Sequence, residues 1–404
     1  MRSVEQHLAT CLAAVRPLPA VAVALAEALG CVLAEDVSSE VDLPPFDNSA
    51  MDGYAVLLGD VAGAGPEHPA VLPVVADVPA GDGQHLVLSP GTCIRIMTGA
   101  PLPEGTEAVV PVEWTDAGRQ QVAVRQVPSA GAHLRRAGGD VVAGEVVLGA
   151  GTQLSARHVS LLAAVGRARV RVVARPRVVV ISTGSELAAP GHVLRRGQVY
   201  DSNGFGLAAA ATELGCRARR VGAVADDPPA FAAILAAELA DADLVVTSGG
   251  VSAGAYEVVK DALGDLGTVS FAKVAMAPGM PQGFGTVGPA ATPIFTLPGN
   301  PVSSMVSFEV FVAPVLRCLR GEGAVHPRLV RAPAGVGWGS PAGKRQFVRA
   351  VFDDDGAIRP VGGQGSHLVA DLAVATCLAV VPEDVTAVER GDVLDCLLLD
   401  RSRP

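Results

Sequence analysis

Lysine is almost missing from this sequence. Lys260, Lys273 and Lys344 are the only ones, and arginine supplies the other 28 of the 31 cations. Against 41 acids the net charge is −10, which excludes broad electrostatic binding to nucleic acid while leaving room for a local basic pocket. Aromatic residues make up 4%, so any core is filled mainly by Val, Ala and Leu. With 50% hydrophobic and 18% charged residues, a disordered chain is excluded. No apolar run approaches the ~18–20 residues of a membrane span. Glu5, His7, Arg16, Pro17 and Pro19 interrupt the apolar core that a signal peptide needs. The seven cysteines are odd in number and scattered, with neither a CxxC pair nor a Cys/His zinc spacing, so reduced and mostly buried thiols are expected. These absences describe a soluble, cytoplasmic chain with no nucleic-acid and no membrane partner. Two further motifs are missing, GxxxxGK[ST] and GxGxxG, so the common nucleotide-binding folds gain no support.

What is present divides by periodicity. At roughly 150 residues per domain, 404 residues hold two to four domains. Ser3-Val4-Glu5-Gln6 has the form of a capping box, and Val4, Leu8, Leu12 and Val15 follow at helical spacing. A second short helix is expected over Ala22–Leu29, stopped by Gly30. From about residue 55 to 148 short Val-rich pieces alternate with Gly/Pro turns, the pattern of a β module. Residues 152–166 return to helical spacing, so the β module (45–140) reads as inserted into a helical one whose halves are 1–44 and 141–176. Over 177–324 strands (Arg177–Ser182, Arg219–Ala225, Leu244–Thr247, 269–274, 293–297) alternate with helices (Leu207–Leu214, Pro229–Leu239, 256–263, 303–319), which predicts a parallel sheet covered on both faces. Residues 325–404 revert to short strands and form a second β module. The expected fold is therefore multidomain α+β around a central three-layer α/β domain.

In a parallel sheet, ligands sit beyond the carboxyl ends of the strands. Three such ends are polar and glycine-bearing: Ser182-Thr183-Gly184-Ser185-Glu186, Thr247-Ser248-Gly249-Gly250-Val251-Ser252 and Leu297-Pro298-Gly299-Asn300-Pro301. Successive backbone N–H groups free of side chains cradle an anion, so a phosphate-bearing ligand is the natural expectation. Gly250-Val251-Ser252-Ala253-Gly254 also fits GxSxG, with acids such as Asp261 or Asp265 and then His326 or His367 downstream. The nucleophile elbow turns directly off its strand, however, and here Thr-Ser-Gly-Gly intervenes. Acids beside these ends (Asp52, Asp140, Glu186, Asp226, Asp227, Glu257) are hard oxygen ligands that suit magnesium. Taken singly, each is better explained as a solvated or capping group, Asp227 as the cap of the helix opened by Pro228.

Five stretches in order carry a resemblance: Pro45-Phe-Asp-Asn-Ser-Ala-Met-Asp-Gly-Tyr54, Arg95-Ile-Met-Thr-Gly-Ala-Pro-Leu-Pro-Glu-Gly-Thr106, Ser182-Thr-Gly-Ser-Glu-Leu187, Ser248-Gly-Gly-Val-Ser252 and Leu297-Pro-Gly-Asn-Pro301. Together they closely resemble the molybdopterin molybdenumtransferases, the MoeA and gephyrin E-domain family, over nearly the whole chain. The resemblance implies a central domain of molybdopterin-binding type and a C-terminal domain that is β-barrel-like. It implies insertion of molybdate into adenylylated molybdopterin, with AMP released and magnesium required. It also implies a homodimer whose cleft joins the third and fourth domains of one subunit to the second domain of the other, and contact with the molybdopterin adenylyltransferase. By position, the functional groups it implies are Asp52, Thr98, Asp140, Glu186, Asp226, Glu257 and Lys273. Asp226 and Glu257 would hold the metal. Thr183, Gly184, Ser248, Gly249, Gly250, Ser252 and Pro298, Gly299, Asn300, Pro301 would line the substrate site, and Arg349 and Ser366 would stand near the molybdate.

Three departures stand out. Glu257 replaces the family's usual aspartate, and Gly138-Gly139-Asp140 replaces Gly-Glu-Asp or Gly-Ser-Asp. A common family form, Lys-x-Ala-x-Lys-Pro-Gly-Lys-Pro, reads Lys273-Val-Ala-Met-Ala277-Pro-Gly-Met280-Pro281 here. Drift from lysine to arginine would have kept the charge at 277 and 280, so composition does not explain the loss. The alternative functions are thus a molybdopterin-binding paralogue or scaffold with weak or no insertase activity, and an adenylyltransferase, whose kind normally lacks the flanking domains.

Overall fold

The computed structural model describes residues 1–81, 83–250, 259, 262–263 and 268–399. The first helix, Val4–Ala13, starts at the capping box: Ser3 Oγ accepts from the Gln6 N–H, and the Gln6 side chain accepts from the Ser3 N–H. Its inner face (Val4, His7, Cys11) does not stay within the N-terminal module. It joins the core of the α/β domain, where His7 meets the edge of the Phe311 ring at 4.7 Å between centroids.

The helix expected over Ala22–Leu29 is replaced by a strand, Ala20–Ala24, and one 3-10 turn, Leu25–Glu27. Ala20-Val-Ala-Val-Ala24 alternates with period two, and it pairs antiparallel with Arg169–Val173 in the register Ala22↔Arg171. Val37–Ser38 likewise pairs with Val146–Leu148. The split module is therefore mixed rather than helical, with the helix Ala156–Ala164 over a small core that includes Cys31, Leu33, Leu162 and Val172. Residues between its halves form a five-stranded sheet ordered Ala108–Pro111, Gly53–Val56, Cys93–Ile96, Ala70–Val78, Gln121–Val124. Tyr54 is fully buried there, and its hydroxyl donates to Gly118 O at 2.9 Å.

The central sheet runs Arg217–Val224, Arg177–Thr183, Leu244–Ser248, Thr292–Leu297, Pro281–Val287, Ser270–Lys273. The first four strands are parallel, but Pro281–Val287 and Ser270–Lys273 add antiparallel pairs, so the sheet is mixed and not all-parallel. Pro281–Val287 escapes a reading by hydropathy because Gly283 and Gly285 dilute it. A side chain at either would collide, at 1.9 Å from Thr296 Oγ1 or 2.2 Å from Thr268 O. Along Arg177–Thr183, Val178 and Val180 enter one core while Val179 and Ile181 enter the other. Both faces are covered, which accounts for a strand without polar alternation. The helix Pro301–Leu319 has 19 residues and is apolar enough to cross a membrane, yet 83% of it is buried inside the protein, making it a core helix.

The C-terminal sheet is ordered Met276–Ala277, Arg345–Phe352, Cys377–Val381, Val393–Leu398, Leu329–Pro333. Its edge strand belongs to the α/β segment: Met276 and Ala277 pair parallel with Arg345 and Gln346. That shared edge fixes the C-terminal domain beside the ends of the central strands.

Candidate functional site

The three glycine-bearing strand ends meet the turn Tyr200–Asn203 around one cleft of ≈ 770 Å³. Its wall contains Thr183, Gly184, Ser248, Gly249, Gly250 and Pro298 to Pro301, every described member of the substrate set except Arg349 and Ser366. Gly249 has φ +99°, and a Cβ there would lie 2.4 Å from Thr183 O. Only glycine lets this turn press against the neighbouring strand end. A Cβ on Gly299 would stand 3.5 Å from the Cα of Gly249, so two turns abut and present a continuous backbone surface.

Side chains under the floor stitch the loops together. Asp201, buried, accepts from Ser182 Oγ at 2.8 Å and from the Gly204 N–H at 2.9 Å, and pairs with Arg220 at 3.2 Å. Asn203 Nδ2 donates to both Ser248 Oγ at 2.8 Å and Gly299 O at 2.7 Å. Motif reading passed over Asp201 and Asn203 because it began the following helix at Leu207, whereas the helix is Asn203–Glu213. The signal available was a polar Asp-Ser-Asn immediately before a helix, the composition of a cap.

Besides the buried Asp201, two further carboxylates stand on the cleft wall, Asp226 and Glu186. The Asp226 carboxylate accepts from the Ser185 N–H, and Ser185 Oγ accepts from the Asp226 N–H, both at 3.0 Å. Glu186 folds back over Gly184, whose Cβ position would lie 2.6 Å from Glu186 Oε2. Asp227 makes no side-chain cap to the helix Pro228–Glu238; it is a plain N-terminal residue of that helix. Ser252 and Glu257, with Asp261 and Asp265 of the GxSxG reading, lie outside the described residues. Oxygen donors of Asp226 and Glu186 beside a glycine cradle fit a hard cation shared with a phosphate, although no cluster of three His, Cys, Asp or Glu ligands occurs among the described residues.

The remaining expected residues are elsewhere on the chain. Asp52 and Thr98 come together on the inserted sheet: Asp52 Oδ1 accepts from the Thr98 N–H at 2.7 Å and from Thr98 Oγ1 at 2.8 Å. Those two bonds, the backbone one foremost, hold the Asp52 carboxyl below its ordinary range. Asp140 is exposed on the neighbouring loop, tied by its N–H to Leu43 O. None of the three lines the cleft. Lys273 is exposed at a strand end and is likewise not part of the wall.

Arg349 is buried, and its guanidinium donates to Gly365 O at 3.0 Å and to Gly363 O. Burial pulls its pKa down, while Asp371 opposes that shift. It lines a separate groove of ≈ 230 Å³ together with Ala277, Pro278, Trp338 and Gln346. Ser366 does not face that groove. Its carbonyl accepts from the Val302 N–H at 3.0 Å. The residue after it, His367, enters the wall of the main cleft.

Comparison with known proteins agrees with this architecture over its full length. Family models match in series: "MoeA N-terminal region (domain I and II)" over residues 2–166, "Probable molybdopterin binding domain" over 179–318, and "MoeA C-terminal region (domain IV)" over 331–399. Molybdopterin molybdenumtransferase 2 of Mycobacterium tuberculosis is 49% identical over 402 residues, 98% of each chain. Molybdopterin molybdenumtransferase 1 of the same organism is 41% identical over 423 residues, 99% of each chain. Among solved structures, the molybdopterin biosynthesis MoeA protein of Pyrococcus horikoshii superposes with a TM-score of 0.82 at 31% identity, covering 98% of each chain.

Proposed function

The chain belongs to the molybdopterin molybdenumtransferase family and acts in molybdenum cofactor biosynthesis by molybdenum insertion; we propose that its substrate is adenylylated molybdopterin, that AMP is the released product and that magnesium assists. The observation that carries this reading is the single cleft in which three glycine-bearing strand ends adjoin the carboxylates of Glu186 and Asp226.

Each part of the cleft has a physical task. The Gly249 N–H is held by Leu297 O, and the backbone N–H groups that follow it at Gly250 and in the Gly299–Asn300 turn are preorganised donors for phosphate oxygens, which need no reorganisation as charge moves. Asn203 fixes the spacing of those turns by bridging Ser248 and Gly299, and Asp201 ties the Ser182 strand end to the start of the helix at Gly204. Asp226, with Glu257 as the partner implied by the family, would hold the cation. Bound there, magnesium would neutralise charge on the phosphate of the departing AMP. Glu186, on the same wall, is placed to orient a phosphate-bound cation or a water.

Asp52, Thr98 and Asp140 stand on the inserted domain, away from their own chain's cleft, which favours a homodimer in which they face the partner's cleft. Docking of the adenylyltransferase that supplies the substrate, and a cytoplasmic location, belong to the same reading. The full-length match to curated transferases does not favour the scaffold alternative raised by Ala277 and Met280. Incubation of purified protein with adenylylated molybdopterin, magnesium and molybdate tests the proposal. Molybdate-dependent release of AMP together with active cofactor is expected; binding of substrate without that release would sink it.

A further inference from the structure

We propose that His367 contacts the phosphate of the bound substrate in the strand-end cleft, and that Arg349 is a positioning residue that holds His367 there. This deepens the reading above and rests on it.

The argument starts from charge. Glu186, Asp201 and Asp226 stand in the cleft wall, and Lys and Arg are absent from it among the described residues. His367 is the one ionisable base there, again among the described residues. It is exposed, and no hydrogen bond of its ring occurs among the described residues. An anionic ligand in this cleft therefore meets backbone amides, acids and one imidazole. An imidazole N–H donated to a phosphate oxygen is a charge-assisted bond, stronger than a neutral one.

The second observation is how the histidine arrives. It comes from the C-terminal domain, on a loop pinned from two sides. From below, the Arg349 guanidinium donates to Gly363 O and Gly365 O. From the α/β side, Val302, one residue beyond the Pro298–Pro301 turn, donates its N–H to Ser366 O at 3.0 Å. A Cβ on Gly365 would lie 2.9 Å from His367 Cε1, so the glycine gives the ring its space. The Arg349 Nη groups already serve two carbonyls in a buried setting. That geometry makes the arginine a clamp on the loop.

Isothermal titration of full-length protein with AMP, in the presence of magnesium, tests this directly. His367→Ala should weaken AMP about tenfold or more, the loss expected for one hydrogen bond to a charged group. His367→Lys should recover most of the affinity, and the exposed position predicts an unchanged Tm for both. Arg349→Lys, which keeps the charge but not the fork, should weaken AMP similarly. Combined with His367→Ala it should add little further loss, because the two act through one contact. Wild-type affinity in His367→Ala, additive losses in the double variant, or no AMP binding by the wild type would each overturn the assignment. A wild type that binds AMP yet shows no molybdate-dependent AMP release would instead defeat the proposed reaction, while the titrations would still decide His367.

Discussion

The strand-end cleft and the Asp52–Thr98 pair are both polar, both expected from motifs, and built in opposite ways. The cleft gathers its parts within one chain: three turns, the carboxylates of Glu186, Asp201 and Asp226, and a histidine from a second domain converge on it. The pair is an exposed acid and hydroxyl at the ends of two inner strands of the inserted sheet, bonded to each other and to no cleft residue. Parallel-strand topology gathers loops at one edge of a sheet without help from elsewhere. An inserted domain offers no such convergence, and its acid and hydroxyl stand outside their own chain's cleft.

The sharpest break of that contrast is at the cleft's floor. Gly249→Val should lower AMP release on the order of a hundredfold or more by lifting the preorganised amides out of place, while far-ultraviolet circular dichroism stays native. Retained turnover would mean that the cleft is not the reaction site.

Mixing comes next. Asp52→Ala and Asp226→Ala proteins should each be inactive. An equal mixture, unfolded together and refolded, should recover about a quarter of wild-type activity, since half the dimers carry one intact site of two. No recovery would return Asp52 to its own chain's cleft.

Acid should then separate the two regions. His7, buried under the central domain, has its pKa lowered to about 4, first by burial and then by Arg2. From the ordinary 6.5 down to about 4 the unfolded chain takes up a proton that the folded one refuses. Stability of the central domain should therefore be full above 6.5 and fall as pH drops, by on the order of 3 kcal/mol. The depressed carboxyl of Asp52 works at lower pH: its bonds persist above the usual 3.8 and are lost only as pH falls below it. Hydrogen exchange at pH 5 should show the central domain loosening before the inserted one, and His7→Leu should abolish the difference. The smallest effect is Thr98→Val, less than about 1 kcal/mol in Tm-derived stability because the pair is solvated, set against a large loss of activity.

Much of this was legible in one dimension. The alternation of strands and helices over 177–324, the three glycine turns and the ordered motifs pointed to the central fold and to its ligand edge. Where the reading went astray, the local signal was degenerate. Ala20–Ala24 satisfies a helical and a strand pattern alike, and its pairing with Arg169–Val173, far along the chain, decides for the strand. Pro281–Val287 is a strand whose glycines answer to neighbours in space, Thr296 and Thr268. Arg349 was expected near the molybdate by position, and the bonds from its guanidinium to Gly363 O and Gly365 O reach a loop that adjacent residues in sequence do not reveal.

Sequence by itself therefore determined the chemistry on offer: amide-rich turns, carboxylates at strand ends, and almost no lysine to accompany them. Those properties reside in residue type and in spacings of a few positions, which the chain carries however it folds. Tertiary structure alone decided which groups share a cavity. Asp201, Asn203 and His367 enter it, Arg349 supports it from outside, and Asp52 stands apart, because cleft membership is set by contacts between segments distant in the chain.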